Sequence, residues 1–415
     1  MLPRVKITFA NGAIGGVSPM DDGVAALLAP VVLSSRSETD SETGEATTVP
    51  APMPALDYLT PTLLTSLADL EELGFDGESG GNVWQTVKEF YSEAPAQSKL
   101  WLMTYSGRLS DVLDSEAAKD LLRAAQGEIR ILLCDLDEAA DSESLDENNN
   151  MPALLAAQIL CQWATDQLYA PCMAVFAAHS HAAAQSRPDL TAMGYNRVCM
   201  MDGCTDKEKP TQKALGLFGG RLASIPVQRS MARVKTGAIK ASIMYLQGTA
   251  QDGTGSDRAE LRGVSTLLHE KGYIVPRTFV GKTGYYWSDD LMACPASDDY
   301  GLIPRRRTID KAYRIAYQTL VNEIAEEIPV TDQGTPAPAI LKAIETKVES
   351  AIVNQMTSVG NLGTDPTDGN DLGVECAIDP DQNILATSRL EIRLRVKPYG
   401  YAKYIDVTLG FLVEG

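Results

Sequence analysis

The sequence predicts an α/β fold that turns α+β toward its C-terminus. Two observations carry this. Between about residues 60 and 223, short apolar runs alternate with amphipathic stretches, as expected when helices connect the strands of a largely parallel sheet. Beyond residue 308, two long helical patterns come first and three strand-like runs follow them. At 415 residues and 44% apolar, the chain is globular and long enough for two or three domains.

Taken in order, Val5, Ile7 and Phe9 alternate with Lys6 and Thr8, predicting a strand that must pair far away in sequence or with another chain. Residues 34–54 are rich in Ser, Thr, Glu and Pro without period, and read as a mobile loop. Leu63, Leu64, Leu67, Leu70 and Leu73 share a helical face that Gly74 ends. A helix over 83–91, a strand over 100–104, a helix over 115–125 and a strand over 129–134 follow. An acidic loop (141–150) leads to a helix over 152–168, strands over 172–176 and 197–201, and a helix over 211–223. Residues 247–258 read as a loop, and 273–280 and 285–288 as a hairpin around Gly281 and Gly284. Helices over 308–328 and 338–356 come next, the second striped by Ile340, Ile344, Val348 and Ile352. Strand-like runs at 374–378, 384–396 and 401–412 end the chain. The expected organisation is an N-terminal strand arm (1–20), an α/β body (21–245), a C-terminal α+β domain (246–400) and a C-terminal strand arm (401–415).

The net charge of −19 disfavours a nucleic-acid or lipid-surface partner, since both favour a basic face. Residues 36–150 alone carry −17, whereas 205–240 carry +6. Arg221, Arg229, Arg233 and Lys235 in the basic stretch are therefore candidates for an electrostatic interface with an acidic neighbour. Seven scattered cysteines, mostly in apolar surroundings, read as buried, reduced thiols of a cytosolic protein. The N-terminal residues lack the apolar block of a signal peptide, and no run is apolar enough to span a bilayer.

Chemistry-bearing motifs are scarce. Gly281-Lys282-Thr283 resembles the end of a phosphate loop, but Pro276 stands where the first Gly belongs and a strand-like run follows. His179, His181, Cys199 and Cys204 could place a metal at the sheet's edge, which leaves a metal-dependent α/β enzyme as the alternative class, although the spacing is not that of a structural zinc site. Asp135, Asp137 and Asp141 lack the Gly and Glu of a calcium loop. No catalytic constellation and no cofactor are expected.

Four stretches, in order, resemble the sheath proteins of contractile phage tails and related injection systems, in particular a branch seen in Bacteroidetes phages and long filed as a domain of unknown function. They are Leu63 to Gly74 with Val87-Lys88-Glu89-Phe90-Tyr91; Gly216 to Arg221 with Val234-Lys235-Thr236-Gly237-Ala238; Arg305 to Lys311; and Val374 to Asp379 with Leu390 to Pro398 and Ala402 to Val407. The resemblance implies a structural subunit, not an enzyme. It would stack in hexameric rings around an inner tail tube protein, meet a baseplate and a tail terminator, and contract to drive the tube through an envelope. It implies a virion tail or injection-system particle assembled in a bacterial cytoplasm. The arms, with Val5, Ile7 and Phe9 at one end and Tyr404, Ile405, Val407, Leu409 and Phe411 at the other, would join subunits, and Lys342 and Lys347 are candidates for touching the tube. A tube or baseplate component is a further alternative.

Overall fold

The computed structural model describes residues 21–31, 35–39, 46–50, 57–77, 81–137, 140–141, 144–179, 184–246 and 261–410. The strand expected at 5–9 lies outside them, as do His181 and Phe411. The chain divides into two compact units, one ending at Asp310 and the other beginning at Lys311.

The first unit is built on a six-stranded sheet. Strand β1 (Ala25–Pro30) lies inside it, parallel on both sides to other strands, and Ala25 to Ala29 are buried. Next comes an antiparallel pair, β2 (Ser35–Thr39) and β3 (Ala46–Pro50), where an irregular loop was expected. Strand β4 (Thr62–Leu64) and helix α1 (Leu67–Glu72) then split what the leucine spacing predicted as one helix. The break is set by Ser66, whose hydroxyl accepts from the Asp69 amide while the Asp69 carboxylate accepts from the Ser66 amide, a capping box that fixes the helix start.

Helix α2 (Gly81–Glu93), strand β5 (Leu100–Tyr105), helix α3 (Leu109–Asp114), helix α4 (Glu116–Ala124) and strand β6 (Ile131–Cys134) follow. Helix α5 (Pro152–Gln167), strands β7 (Met173–Ala177) and β8 (Val198–Met201) and helix α6 (Leu215–Ser224) complete the alternation. The strand order is β4-β5-β1-β6-β7-β8, with only β4 antiparallel. Helices cover both faces. Leu133 of β6 meets α6 at Gly219, and Leu133 is in register with Val175 of β7. Cys172, an odd number of residues before Val175, points the other way, and its Sγ lies 3.7 Å from that of Cys161 on α5.

Helix α7 (Leu261–Glu270) and the short antiparallel strands β9 (Pro276–Arg277) and β10 (Tyr286–Trp287) come next. Gly281 and Gly284 turn the hairpin at φ 77° and 88°, and no helix follows to hold a phosphate. The body does not end near residue 245, as expected. Ile274 bridges in parallel to Met201 and Ala293 bridges antiparallel to Tyr195, so 273–293 extends the sheet beyond β8. Helix α8 (Ile303–Leu320) contains the division between the units. Its first turns belong to the body: the Arg197 guanidinium and Arg306 both donate to Asp310, at 3.1 and 2.6 Å.

In the second unit, helix α9 (Pro338–Ile352) passes into a π turn at Val353–Thr357. Its buried stripe is Leu341, Ile344, Val348 and Ile352, so Leu341 replaces the expected Ile340. Strand β11 (Val374–Ile378), the short helix α10 (Ile384–Thr387) and strand β12 (Ile392–Val396) follow. β11 and β12 form a two-stranded antiparallel ribbon.

Candidate functional site

In parallel sheets ligands gather at the carboxyl ends of the strands. Here that edge holds polar groups, and they bind one another. After β6, Asp135 lies 2.9 Å from the His179 ring, which follows β7, and both are buried. The Tyr105 hydroxyl donates to the Asp135 carbonyl at 2.6 Å. After β8, Asp202 is completely buried and accepts from Lys213 at 2.7 Å and Arg187 at 2.5 Å. Burial alone would raise its carboxyl, but Lys213 and Arg187 outweigh it and hold the group below the ordinary carboxylate value. Of the metal candidates, Cys199 lies within β8 and Cys204 bridges to Tyr245. Burial raises both thiols, that of Cys204 to about 11. Among the described residues no group of three or more His, Cys, Asp or Glu is placed to hold a metal, and no helix is long and apolar enough to cross a membrane.

The basic stretch at 205–240 is only partly a surface. Arg221 does not reach the outside, a correction to its expected place on a docking face. It is 5% exposed and grips Glu93 of α2 through two contacts, 2.9 and 3.1 Å, while donating to the carbonyls of Gly237 and Ala238. Charge counting cannot see this pair, because its members are 128 positions apart. Lys213 is buried as well. Arg233 and Lys235 are exposed and Arg229 is half-buried, so the candidate electrostatic face reduces to these three. Asp141, expected to be one residue of a solvated acidic loop, instead accepts from the Leu109 and Asp137 amides and ties that loop to the start of α3.

One turn before Glu93, Glu89 is buried and accepts from Gln85 and Thr205. Burial raises its carboxyl from 4.5 to about 7, against the lowering effect of those bonds. Since the folded-state value exceeds the unfolded one, the protonated form is favoured by folding, and this contribution is lost as pH rises from about 4.5 through about 7. Glu89→Gln is therefore expected to stabilise the protein by about 2–3 kcal/mol at pH 8 and to change little at pH 4. Urea midpoints at the two pH values check this; an equal effect at both would contradict it.

In the second unit, the side chains of Lys342 and Lys347 are 67% and 51% exposed, and their ammonium groups pair with Glu345 and Glu323. Residues 401–410 take no regular secondary structure, although a strand was expected. The alternating apolar residues remain in solvent: Tyr404 is 81% exposed, Ile405 and Val407 78%, Leu409 92%. A strand needs a partner strand, and no strand pairs with residues 404–409 among the described residues.

Residues 2–291 match the family model described as DUF2586, N-terminal domain, and residues 299–415 match that described as DUF2586, C-terminal domain. No curated protein matches the chain. Among solved structures, a chain of the anti-feeding prophage (AFP) baseplate is similar with a TM-score of 0.59 at 14% identity, covering 100% of this chain and 99% of that one. A chain of the PVC sheath complex of an extracellular contractile injection system, in its contracted state, has a TM-score of 0.60 at 13% identity, covering 99% and 97%. At such identities the likeness is one of fold, and it extends over whole chains. With both of its family models matched along almost the entire sequence, the chain belongs to the DUF2586 family.

Proposed function

We propose that this chain is the subunit of a contractile sheath that polymerises helically around an inner tube and shortens to drive the tube through a target envelope. The observation that carries this reading is the whole-length likeness to a chain of a contracted sheath complex. Two features of the chain support it. Among the described residues, the exposed apolar side chains at 404–409 have no strand partner and the β11–β12 ribbon has only two strands. Exposed strands of this kind gain backbone hydrogen bonds by adding to a neighbour's sheet. Directional addition between identical chains builds an open helix, not a closed dimer.

In this reading the partners are further copies in stacked hexameric rings, an inner tail tube protein, a baseplate and a tail terminator. The particle is a tail or injection device assembled in a bacterial cytoplasm. Work is stored at assembly in a bistable interface, so the role is mechanical and needs no cofactor. Arg229, Arg233 and Lys235 offer charges to an acidic neighbour, and Lys342 and Lys347 face outward as tube contacts. A baseplate component would share the fold, since the AFP chain belongs to a baseplate structure. The purified chain is expected to polymerise, and deletion of residues 1–16 is expected to abolish polymerisation while leaving the circular dichroism spectrum of a folded α/β protein. Regular polymers from the truncated chain would contradict a joining role for the N-terminal arm.

A further inference from the structure

Two thiols of the first unit touch. Cys161 lies on α5 and Cys172 just before β7, and they are 0% and 1% exposed. The Cys172 thiol donates to the Cys161 sulfur across 3.7 Å. The local chain holds them there. Helix α5 ends at Gln167, and the chain turns back through Tyr169, whose φ is 53°. The amides of Leu168 and Ala170 both donate to the Ala164 carbonyl, at 3.2 and 3.1 Å. This turn brings Cys172 back to the part of the helix that carries Cys161. On the strand side, the Arg197 guanidinium donates to the Cys172 carbonyl at 3.1 Å, and the Met173 amide donates to the Arg130 carbonyl at 3.0 Å.

The sulfurs of a disulfide stand about 2.05 Å apart, so closure takes about 1.7 Å, shared between two side chains. Among the described residues no metal-holding group includes either cysteine. Where thiols are kept reduced the pair stays reduced. The bond from Cys172 and burial both raise the Cys161 thiol, the Arg197 charge opposes them, and a thiol reacts through its thiolate. Hydrogen peroxide is nearly as small as water, so brief local openings admit it where bulkier oxidants are shut out.

We propose that Cys161 and Cys172 are an oxidation site, which peroxide converts into a disulfide that staples α5 to β7. In the first step one thiolate attacks a peroxide oxygen. The O–O bond breaks, hydroxide leaves and takes a proton to become water, and the sulfur becomes a sulfenic acid. The second sulfur then attacks the first. The S–S bond forms, the S–O bond breaks, and the departing oxygen leaves as a second water. Two thiols thereby lose two electrons and two protons, and one peroxide gains them. The staple lies within one chain and does not depend on polymerisation, so its failure would leave the sheath reading standing.

The test exposes the full-length protein to hydrogen peroxide and then titrates thiols in denaturant. The protein is expected to lose two of its seven thiols. Cys161→Ala and Cys172→Ala are each expected to lose none. Cleavage before aspartates separates the pair at Asp166, giving a peptide 146–165 that holds Cys161 and a peptide 166–188 that holds Cys172. Mass spectrometry without reductant is expected to find these two joined, and to find them apart after reduction. This map stands on its own if either variant fails to fold. The link closes a loop of about ten residues, and the thermal midpoint is expected to rise by about 5 °C and to return on reduction. Retention of all seven thiols overturns the proposal, as does a link from either cysteine to a different one. Oxidation past the sulfenic acid without a link, or a linked protein whose midpoint does not move, also overturns it.

Discussion

Gly216→Ala and Gly220→Ala are each expected to destabilise the first unit by about 3 kcal/mol, opposite in sign to the usual effect of alanine in a helix. The reason is the contact between α2 and α6. These two glycines lie one turn apart on α6 and let its backbone sit directly on α2. A Cβ at Gly216 would stand 2.0 Å from the Thr86 carbonyl oxygen and 2.9 Å from the Phe90 amide nitrogen. At Gly220 it would stand 2.4 Å from the Phe90 carbonyl oxygen and 3.1 Å from the Ala94 nitrogen. Backbone atoms cannot rotate aside as a side chain can, so the helices must separate. Gly219 has the same role toward the sheet, at 2.4 Å from Leu133 Cδ1. Separation would also pull Arg221 from Glu93, since both lie along this contact. Denaturant midpoints measure the loss. Stabilisation by about 1 kcal/mol, the helix-propensity gain, would contradict the close approach.

The second large effect is expected at Asp202. Asp202→Ala removes the carboxylate that two buried cations share and is expected to cost about 3–5 kcal/mol. Arg187 lies in the segment after β7 and Lys213 in the segment before α6, so the residue holds two connections against the end of β8. Asp202→Asn keeps an acceptor oxygen and is expected to cost less. Because the folded-state carboxyl lies below its unfolded value, this stabilisation is present above about pH 4 and is lost as pH falls through the folded value. Urea unfolding at pH 7 checks the sizes, and a change under 1 kcal/mol for Asp202→Ala would show that the ion pairs contribute little.

The alternating class was legible because α2, α4, β5, β6 and α5 each stand out as an apolar run or a helical stretch between breaks, and each stands close to where the sequence puts it. β1 was not. Ala25-Ala26-Leu27-Leu28-Ala29 has no alternation and no β-branched residue, as suits a strand buried on both faces but gives a reader no period to find. The break between β4 and α1 was hidden by leucines that continue across it, while the capping box that makes it lies in Ser66 and Asp69. Arg221 counted as a surface cation because a charge sum has no knowledge of burial. The bonds from the Ile378 and Cys376 amides to Glu345 and Glu349 were invisible for a similar reason: they depend on which way the β11 amides turn. The 401–410 segment shows the opposite case. Its alternation is that of a strand, yet it takes no strand structure, and no strand pairs with it among the described residues.

The central claim is that this chain builds a sheath. Negative-stain electron microscopy of the purified full-length protein tests it most directly. The account predicts wide, ridged cylinders of regular helical repeat; uniformly dispersed small particles at every concentration and ionic strength would contradict it.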